Sequence, residues 1–230
     1  GAHGPWCPRN AGNTHDDAPK TLTDALTHSL NVIAVRVLKR VGVGPFTDFM
    51  RRAGVHSPVP ANLTAALGSG EVTPLELTNA YATLAAGGHF SEPIFIRRVE
   101  DREGHVLYAE RPGSRPTIKK SVTEELTTML SAVVTSGSGR RAAIPGVQVA
   151  GKTGTTSGRL DAWFIGYTVP TAHQQGSTGT VCGVWVGHDD NLPLAGGSGG
   201  ATAAPLWQSI MSRWLQSAPR HADAAEAVSP

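Results

Sequence analysis

The sequence predicts a mixed fold of the α+β type, in which helices cover an antiparallel sheet. Residues up to about 135 contain apolar runs with helical spacing, whereas residues after 146 contain short β-branched and aromatic segments separated by turn residues. The 27 glycines and 16 prolines are many for a helix bundle and suit a fold with frequent turns. With 230 residues and 40% hydrophobic content, the chain can bury a core as one domain or most of one.

Short helices are expected in the first quarter of the chain. Thr21 is a candidate N-cap, with Asp24 in the first turn, for a helix that continues to about His28. An apolar run follows and predicts a second helix that stops at Gly42. Residues 45–54 then predict a third helix, which a proline opens and a glycine ends.

Two capping boxes predict the starts of later helices. Thr73-Pro74-Leu75-Glu76 has the required spacing, with proline at the first helical position, and its helix should close near Gly87. Ser121-Val122-Thr123-Glu124 is expected to open another helix by the same reciprocal bonding. Between them, residues 94–109 alternate in polarity and predict a hairpin that turns at Glu103-Gly104.

Three strands and a closing helix complete the predicted domain. The strands Val147–Thr153, Ala162–Val169 and Thr180–Gly187 are short and separated by turn chemistry, so an antiparallel meander is expected. The apolar spacing over Ala203–Leu215 predicts the closing helix. Residues 216–230 are rich in alanine and proline and are expected to form a flexible tail.

Charge and cysteine usage exclude several classes of protein. The formal net charge is +2, and the 20 basic and 18 acidic side chains are scattered, so no continuous basic face for nucleic acid is expected. Cys7 and Cys182 are too few for a disulfide scaffold and lack metal-ligand spacing, and whether they pair is left open. No apolar run approaches the ~20 residues needed to cross a bilayer, so any membrane attachment would need a segment outside this chain.

The sharpest chemical signal is Gly151-Lys152-Thr153-Gly154-Thr155-Thr156 at the end of a predicted strand. A serine-x-asparagine element, Ser29-Leu30-Asn31, lies upstream in a predicted turn between helices. These two elements accompany a serine-x-x-lysine nucleophile in penicillin-binding proteins and class A β-lactamases. A phosphate-binding loop is excluded by the order of elements, because Gly146 precedes a strand and the P-loop geometry requires a helix after the glycine loop.

Several blocks, in order, resemble the transpeptidase domains of class A penicillin-binding proteins over nearly the whole chain. The matching blocks are Trp6–Asn10, Thr21–Gly42, Gly68–Gly88, Gly151–Thr156, Asp161–Tyr167, Val184–Asp190 and Gly200–Trp207. The resemblance implies a β-lactamase/transpeptidase-like serine acyltransferase fold. Its active site should lie between the lysine-threonine-glycine strand and the helical region.

The resemblance also implies catalytic roles in the attack of a serine on a D-alanyl-D-alanine amide. Ser29 would relay a proton to the leaving amine, and Asn31 would hydrogen-bond the substrate amide. Lys152 would supply positive potential near the site. These three residues are therefore the candidate catalytic residues of the chain.

Three neighbours of the lysine are the candidate substrate-binding residues. By resemblance, Thr153 and Thr155 would contact the terminal carboxylate of the substrate, and the backbone N–H of Thr155 would be one of two oxyanion donors. Gly154 would permit close approach of the substrate.

The chain departs from the family pattern at the nucleophile. None of its serines is followed three positions later by lysine, so the serine-x-x-lysine nucleophile and base are absent. The resemblance then implies that residues 1–215 are the C-terminal part of the domain, inactive alone. The complete protein would lie outside the cytoplasm, held by an N-terminal membrane anchor, and would also carry a glycosyltransferase domain.

The implied partners are peptidoglycan stem peptides and, in the complete domain, β-lactams. No cofactor, metal or nucleic acid is expected. The alternative is a non-catalytic module that keeps the fold and binds cell-wall peptides or partner proteins. Intact Ser29, Asn31 and Lys152 argue against it, because a binding module needs no proton relay.

Other reactive groups have structural interpretations. Glu76 could suggest a deacylating glutamate, yet its place in a capping box explains it. His188-Asp189-Asp190 and His15-Asp16-Asp17 carry no metal or triad signature and are expected to be a turn and a solvated loop. Trp163 and Trp185 alternate with other residues along strands and are expected on sheet faces and not as a sugar-stacking platform.

Overall fold

The computed structural model describes residues 6–11, 18–170 and 179–217. Its helices are α1 (Leu22–Thr27), α2 (Asn31–Val41), α3 (Val43–Ala53), α4 (Pro74–Ala85), α5 (Lys120–Thr135) and α6 (Ala204–Ser217). Its strands are β1 (His89–Phe90), β2 (Arg98–Glu100), β3 (Val106–Ala109), β4 (Arg115–Pro116), β5 (Val149–Thr155), β6 (Asp161–Thr168) and β7 (Val181–Gly187). Helices thus dominate the first part of the chain and the longest strands come late, as the sequence predicts.

The main sheet is an antiparallel meander in the order β5-β6-β7. Lys152 pairs with Ile165, and Trp163 pairs with Trp185 on the next strand. The predicted meander is therefore confirmed. Strand β5 runs to Thr155 and not to Thr153, because its pairing with β6 continues as far as Ala162.

Helices cover both faces of this sheet. Successive side chains of a strand point to opposite faces, and on one face Phe164 packs edge-on against Trp207 of α6, with ring centroids 5.2 Å apart. On the other face, Leu130 of α5 forms a buried cluster with Ala150 and Tyr167. The sheet between two helical layers confirms the predicted fold class.

The first three helices follow local capping signals. Thr21 and Asp24 form a complete capping box at the start of α1. Gly42, with a φ of 92°, separates α2 from α3 in a conformation that favours glycine. Helix α3 begins at Val43, so the expectation that Pro45 opens it was wrong by two residues. Proline fits there because the first N–H groups of a helix have no partner within the helix.

One of the two later capping boxes was predicted correctly. The Thr73 and Glu76 side chains each bond the backbone of the other residue at the start of α4, with Pro74 at the first helical position. The box expected at Ser121 was wrong, because α5 begins at Lys120 after Lys119, without a side-chain cap. Bonds from the N–H groups of residues 117 and 118 to the carbonyl of residue 88 hold the chain just before this helix, which starts two residues earlier than the pattern suggests.

The predicted hairpin is shorter than the sequence pattern. Strands β2 and β3 pair across the turn at Glu103-Gly104, whereas residues 94–97 lie outside both strands. Helix α6 continues to Ser217, and the rest of the expected tail lies outside the described residues, as does His15-Asp16-Asp17. Within the described ranges, no helix is both long and apolar enough to cross a membrane.

Candidate active site

Lys152 lies where β5 leaves the core. Residues 149–151 are buried, Lys152 and the next two residues are half-buried, and Thr155 is exposed. Among the described strands, β5 pairs with β6 on one side only, so its other edge is open to an extended peptide. The strand therefore presents the lysine-threonine-glycine motif at a free edge.

Ser29 lies in the tight turn between α1 and α2. Its N–H donates to the carbonyl of Leu26, and the N–H of Leu30 donates to the carbonyl of Ala25. The φ of Ser29 is 56°, a left-handed conformation that is uncommon for a residue with a side chain. This turn fixes the direction of the Ser29 side chain, and it places Ser29 and Leu30 between the two helices, directly before Asn31 at the start of α2.

A hydrogen bond joins the two predicted motifs across 123 residues of sequence. The Lys152 ammonium donates to the Ser29 hydroxyl oxygen at 2.9 Å and to the Thr153 carbonyl at 3.1 Å. Burial lowers the pKa of Lys152 to about 8, because desolvation disfavours the charged form. Ser29 and Lys152 therefore lie side by side, as a shared active site would require.

Asn31 is the first residue of α2, two residues after Ser29. Its side-chain nitrogen donates to the carbonyl of Arg9 at 2.9 Å, and the Asn10 side chain accepts from the N–H of Val32 at 3.1 Å. The N-terminal loop is therefore attached to the start of α2. This contact of Asn31 is with the loop, and a substrate amide would have to replace the Arg9 carbonyl.

The two threonines of the motif each have a hydrogen-bond neighbour from outside the sheet. The Thr153 hydroxyl lies 2.7 Å from the hydroxyl of Ser138, in the loop after α5. The Thr155 hydroxyl accepts from the backbone N–H of Gly199 at 2.9 Å. The sequence interpretation missed both neighbours. The Ser136-Gly137-Ser138-Gly139 loop was a usable signal for Ser138, whereas a backbone donor such as Gly199 leaves no side-chain signal.

Packing against β6 favours glycine at position 154, in addition to the close approach of a substrate that the resemblance implies. A β-carbon at this position would lie 3.1 Å from the β-carbon of Trp163 on β6. Trp163 is half-buried and its ring centroid lies 6.3 Å from that of Trp185, which donates to the Asp161 carboxylate at 2.8 Å. The pair occupies a sheet face, as predicted, beside the edge strand.

The comparison with known families supports the sequence resemblance. Residues 4–211 match the family described as the penicillin binding protein transpeptidase domain. The chain belongs to this family.

Relatives of this transpeptidase chain are much longer proteins. Penicillin-binding protein 1A of Aquifex aeolicus is 38% identical over 207 residues, which cover 90% of this chain and 27% of the relative. Penicillin-binding protein 1A of Neisseria gonorrhoeae is 33% identical over 214 residues, which cover 90% of this chain and 26% of the relative. The chain thus spans about a quarter of the length of these curated relatives.

Solved structures show the same fold. Penicillin-binding protein 1A from Haemophilus influenzae has a TM-score of 0.80 and 25% identity, over 94% of this chain and 37% of that one. PonA1 from Mycobacterium tuberculosis, in complex with penicillin V, has a TM-score of 0.78 and 25% identity, over 92% of this chain and 60% of that one. The predicted β-lactamase/transpeptidase-like fold is confirmed.

Glu76 has a structural role in this transpeptidase chain. Its carboxylate accepts from the N–H groups of His56 and Ser57, both at 3.0 Å, and from the Ser57 hydroxyl at 2.5 Å. The hydrogen bond from Ser57 lowers the pKa of Glu76 to about 2. Glu76 therefore joins the start of α4 to the segment that follows α3.

Two clusters of titratable residues, at His188 and at Asp101, lie in turns. The N–H of Asn191 donates to the carbonyl of His188 at 3.1 Å, in the turn that was predicted after the last strand. Ligand atoms of Asp101, Glu103 and His105 lie within 4.8 Å of one another. The Asp101 carboxylate accepts from the N–H groups of the other two residues, so the geometry of the hairpin turn accounts for this group. Both cysteines are free.

Proposed function

We propose that the chain is the substrate-binding and proton-relay part of a peptidoglycan D,D-transpeptidase domain. The reaction is serine acyl transfer on D-alanyl-D-alanine stem peptides, with the serine nucleophile supplied by a segment outside this chain. The complete protein would act outside the cytoplasm, held by an N-terminal membrane anchor, and would be acylated by β-lactams. The observation that carries the proposal is the hydrogen bond from Lys152 to Ser29.

The direction of that hydrogen bond supports a proton relay. A lysine ammonium has three donors and no acceptor, so the Ser29 oxygen must accept from Lys152. The hydroxyl proton of Ser29 is then free to point to another acceptor. In the reaction, the lysine of the serine-x-x-lysine segment would take the proton of the nucleophile, whose oxygen adds to the carbonyl carbon of the scissile amide. As the C–N bond breaks, Ser29 would donate its proton to the departing D-alanine amine and regain one from that protonated lysine.

The open edge of β5 supports binding of the stem peptide beside Lys152. An extended peptide can pair with an exposed edge strand through main-chain hydrogen bonds. Its terminal carboxylate would then lie near the Lys152 ammonium and the hydroxyls of Thr153 and Thr155. Partial burial of the lysine strengthens its attraction for an anion, because the local dielectric is lower than that of water. The Thr155 N–H would be one oxyanion donor, and the N–H of the nucleophile would be the other.

The absence of serine-x-x-lysine in the sequence supports inactivity of the chain by itself. No serine of this chain is followed at the family spacing by a lysine that could act as its base. Ser29 already accepts from Lys152 and would serve as the relay and not as the nucleophile.

Intact-mass spectrometry after incubation with a labelled penicillin tests the proposal. The 230-residue chain should gain no mass, whereas the protein with its upstream segment should gain one acyl group on a serine-x-x-lysine serine. An adduct on the short chain would show that one of its own serines is the nucleophile. A longer protein that contains the nucleophile but stays unmodified would favour a non-catalytic peptide-binding module.

A further inference from the structure

A loop after α5 connects the two motifs of the proposed site. The N–H of Ser138 donates to the carbonyl of Thr27, at the end of α1 and two residues before Ser29. A β-carbon at Gly137 would lie 2.3 Å from the same carbonyl, so only glycine permits this approach. The loop is therefore packed tightly against the turn that carries Ser29, and its serine side chain reaches β5.

The polarity of the hydrogen bond to Thr155 shows how a neighbour can orient a hydroxyl. A backbone N–H can only donate, so Thr155 must accept from Gly199. Its single hydroxyl proton is then available for another acceptor. A carboxylate oxygen, which only accepts, is a suitable partner for that proton.

The same argument sets the direction of the bond between Ser138 and Thr153. Either hydroxyl can donate across the 2.7 Å that separates them. When a carboxylate binds Thr153, that residue must donate its proton to the carboxylate, and Ser138 must then donate to Thr153. Chained hydrogen bonds of this kind polarise one another, which strengthens the outer bond.

We propose that Ser138 is a positioning residue that holds the Thr153 hydroxyl as a hydrogen-bond donor to the terminal carboxylate of the acyl donor. Together with the Gly199 N–H, it makes both threonines of the motif donors towards the same anion. This inference rests on the proposed function. It adds a residue from outside the lysine-threonine-glycine and serine-x-asparagine elements.

The test measures acylation of the complete protein by penicillin V and by its methyl ester, which lacks the anionic carboxylate. Ser138→Ala should lower the second-order rate constant for the acid by about fivefold to tenfold, the usual effect of one hydrogen bond. The rate constant for the ester should change little. Ser138→Thr, which keeps the hydroxyl, should restore the rate for the acid, and Ser138→Cys, a weak donor, should lie between them.

Two further variants separate positioning from general damage. Ser136→Ala is the matched control, because Ser136 is an exposed serine of the same loop whose hydroxyl bonds the Ala132 carbonyl. It should leave both rates unchanged. Thr153→Val removes the hydroxyl that Ser138 is proposed to orient. Adding Ser138→Ala to Thr153→Val should therefore cause no further loss.

The outcomes distinguish this inference from the proposed function. Equal losses for acid and ester, additive losses in the double variant, or a Ser138→Ala protein with the unaltered rate would each overturn the role of Ser138. These results would leave the transpeptidase proposal standing. An unaltered protein that penicillin V does not acylate at all would overturn the proposed function, and the role of Ser138 with it.

Discussion

Lys152 combines a positive charge with partial burial beside a free strand edge, and this combination gives the first prediction. In the complete protein, Lys152→Ala should slow acylation by penicillin by ~10²-fold or more, because the substrate carboxylate loses a preorganised cation. The melting temperature should stay the same or rise, since the removed group has a lowered pKa and gains little from burial. Lys39→Ala, at an exposed lysine of α2, is the matched control. A normal acylation rate with a lowered melting temperature would contradict the assigned role.

The lowered pKa of Lys152 predicts a pH dependence with a definite sign. Burial disfavours the ammonium, so the pKa falls from 10.5 to about 8 in the folded protein. Between these pH values the unfolded chain binds more protons at this residue than the folded protein does. The free energy of unfolding should therefore increase as pH rises from about 8 to 10.5. Binding of the carboxylate should weaken over the same rise, because the cation is lost.

Carbon-13 NMR of labelled lysine side chains measures this pKa directly. The resonance assigned to Lys152, by its loss in the Lys152→Ala variant, should titrate near pH 8. A Lys152 resonance that titrates near the ordinary value of 10.5 would show that the site is as hydrated as the surface.

Sequence reasoning predicts those residues of the proposed site that carry a motif, and it misses neighbours that only the folded geometry brings close. Lys152 and Ser29 were predicted because each belongs to a short pattern with known chemistry, and the structure brings them into contact. Ser138 belongs to no catalytic pattern of the sequence. Its proximity to Thr153 depends on how the loop packs against α1, which no spacing in the sequence encodes.

At the scale of elements, Glu76 connects α4 to the segment that follows α3. Glu76→Gln should lower the free energy of unfolding at neutral pH by about 1–2 kcal/mol, because a capping box and the bonds from Ser57 and His56 are weakened. The folded pKa is depressed to about 2 from 4.5, so this contribution is present above pH 4.5. It should be lost progressively as pH falls towards 2, a change that urea denaturation at several pH values measures.

The matched control for this variant is Glu124→Gln. Glu124 is exposed on α5 and lies 3.6 Å from Lys120, a surface pair that contributes little to stability. Neither substitution should alter acylation or the release of the acyl group. Accelerated or slowed release in Glu76→Gln, with stability intact, would instead support the deacylating role that the capping box argues against.

The same scale shows why one capping box was predicted correctly and the other was not. Thr73 begins a box that is followed by proline at the first helical position, and two local signals agree. Ser121 has the spacing of a box, yet a tertiary contact decides the start of α5, because residues 117 and 118 are held by the Gly88 carbonyl. Local patterns predict helix starts well only where no contact from a distant segment competes with them.

At the scale of the whole molecule, the periodicity of the sequence predicts the order of the helices and strands. The way in which the helices are layered on the sheet depends on packing, which the periodicity does not encode. The alternation along β6 predicts two faces but not which helix covers each of them. The structure shows α6 on the face of Phe164 and α5 on the face of Tyr167. Trp207, with 0% of its surface exposed, is the largest fully buried side chain among the described residues. The sequence predicts its helix but not its packing against Phe164 in the buried cluster of this layer.

The far edge of the sheet is a candidate surface for self-association. Among the described strands β7 pairs with β6 alone, and its sequence from Val181 to Gly187 contains no charged residue. An uncharged edge strand is a template for pairing with another chain. We therefore expect the 230-residue chain to self-associate as its concentration rises. Trp185→Lys, at a side chain that is 41% exposed on this strand, should reduce the association.

Trp214→Lys, at a 55% exposed tryptophan on α6, is the matched control and should not reduce the association. Sedimentation velocity at several concentrations measures both effects. A chain that stays monomeric throughout, or one that only Trp214→Lys disperses, would show that β7 is not the interface, because the association would then be absent or would use the surface of α6.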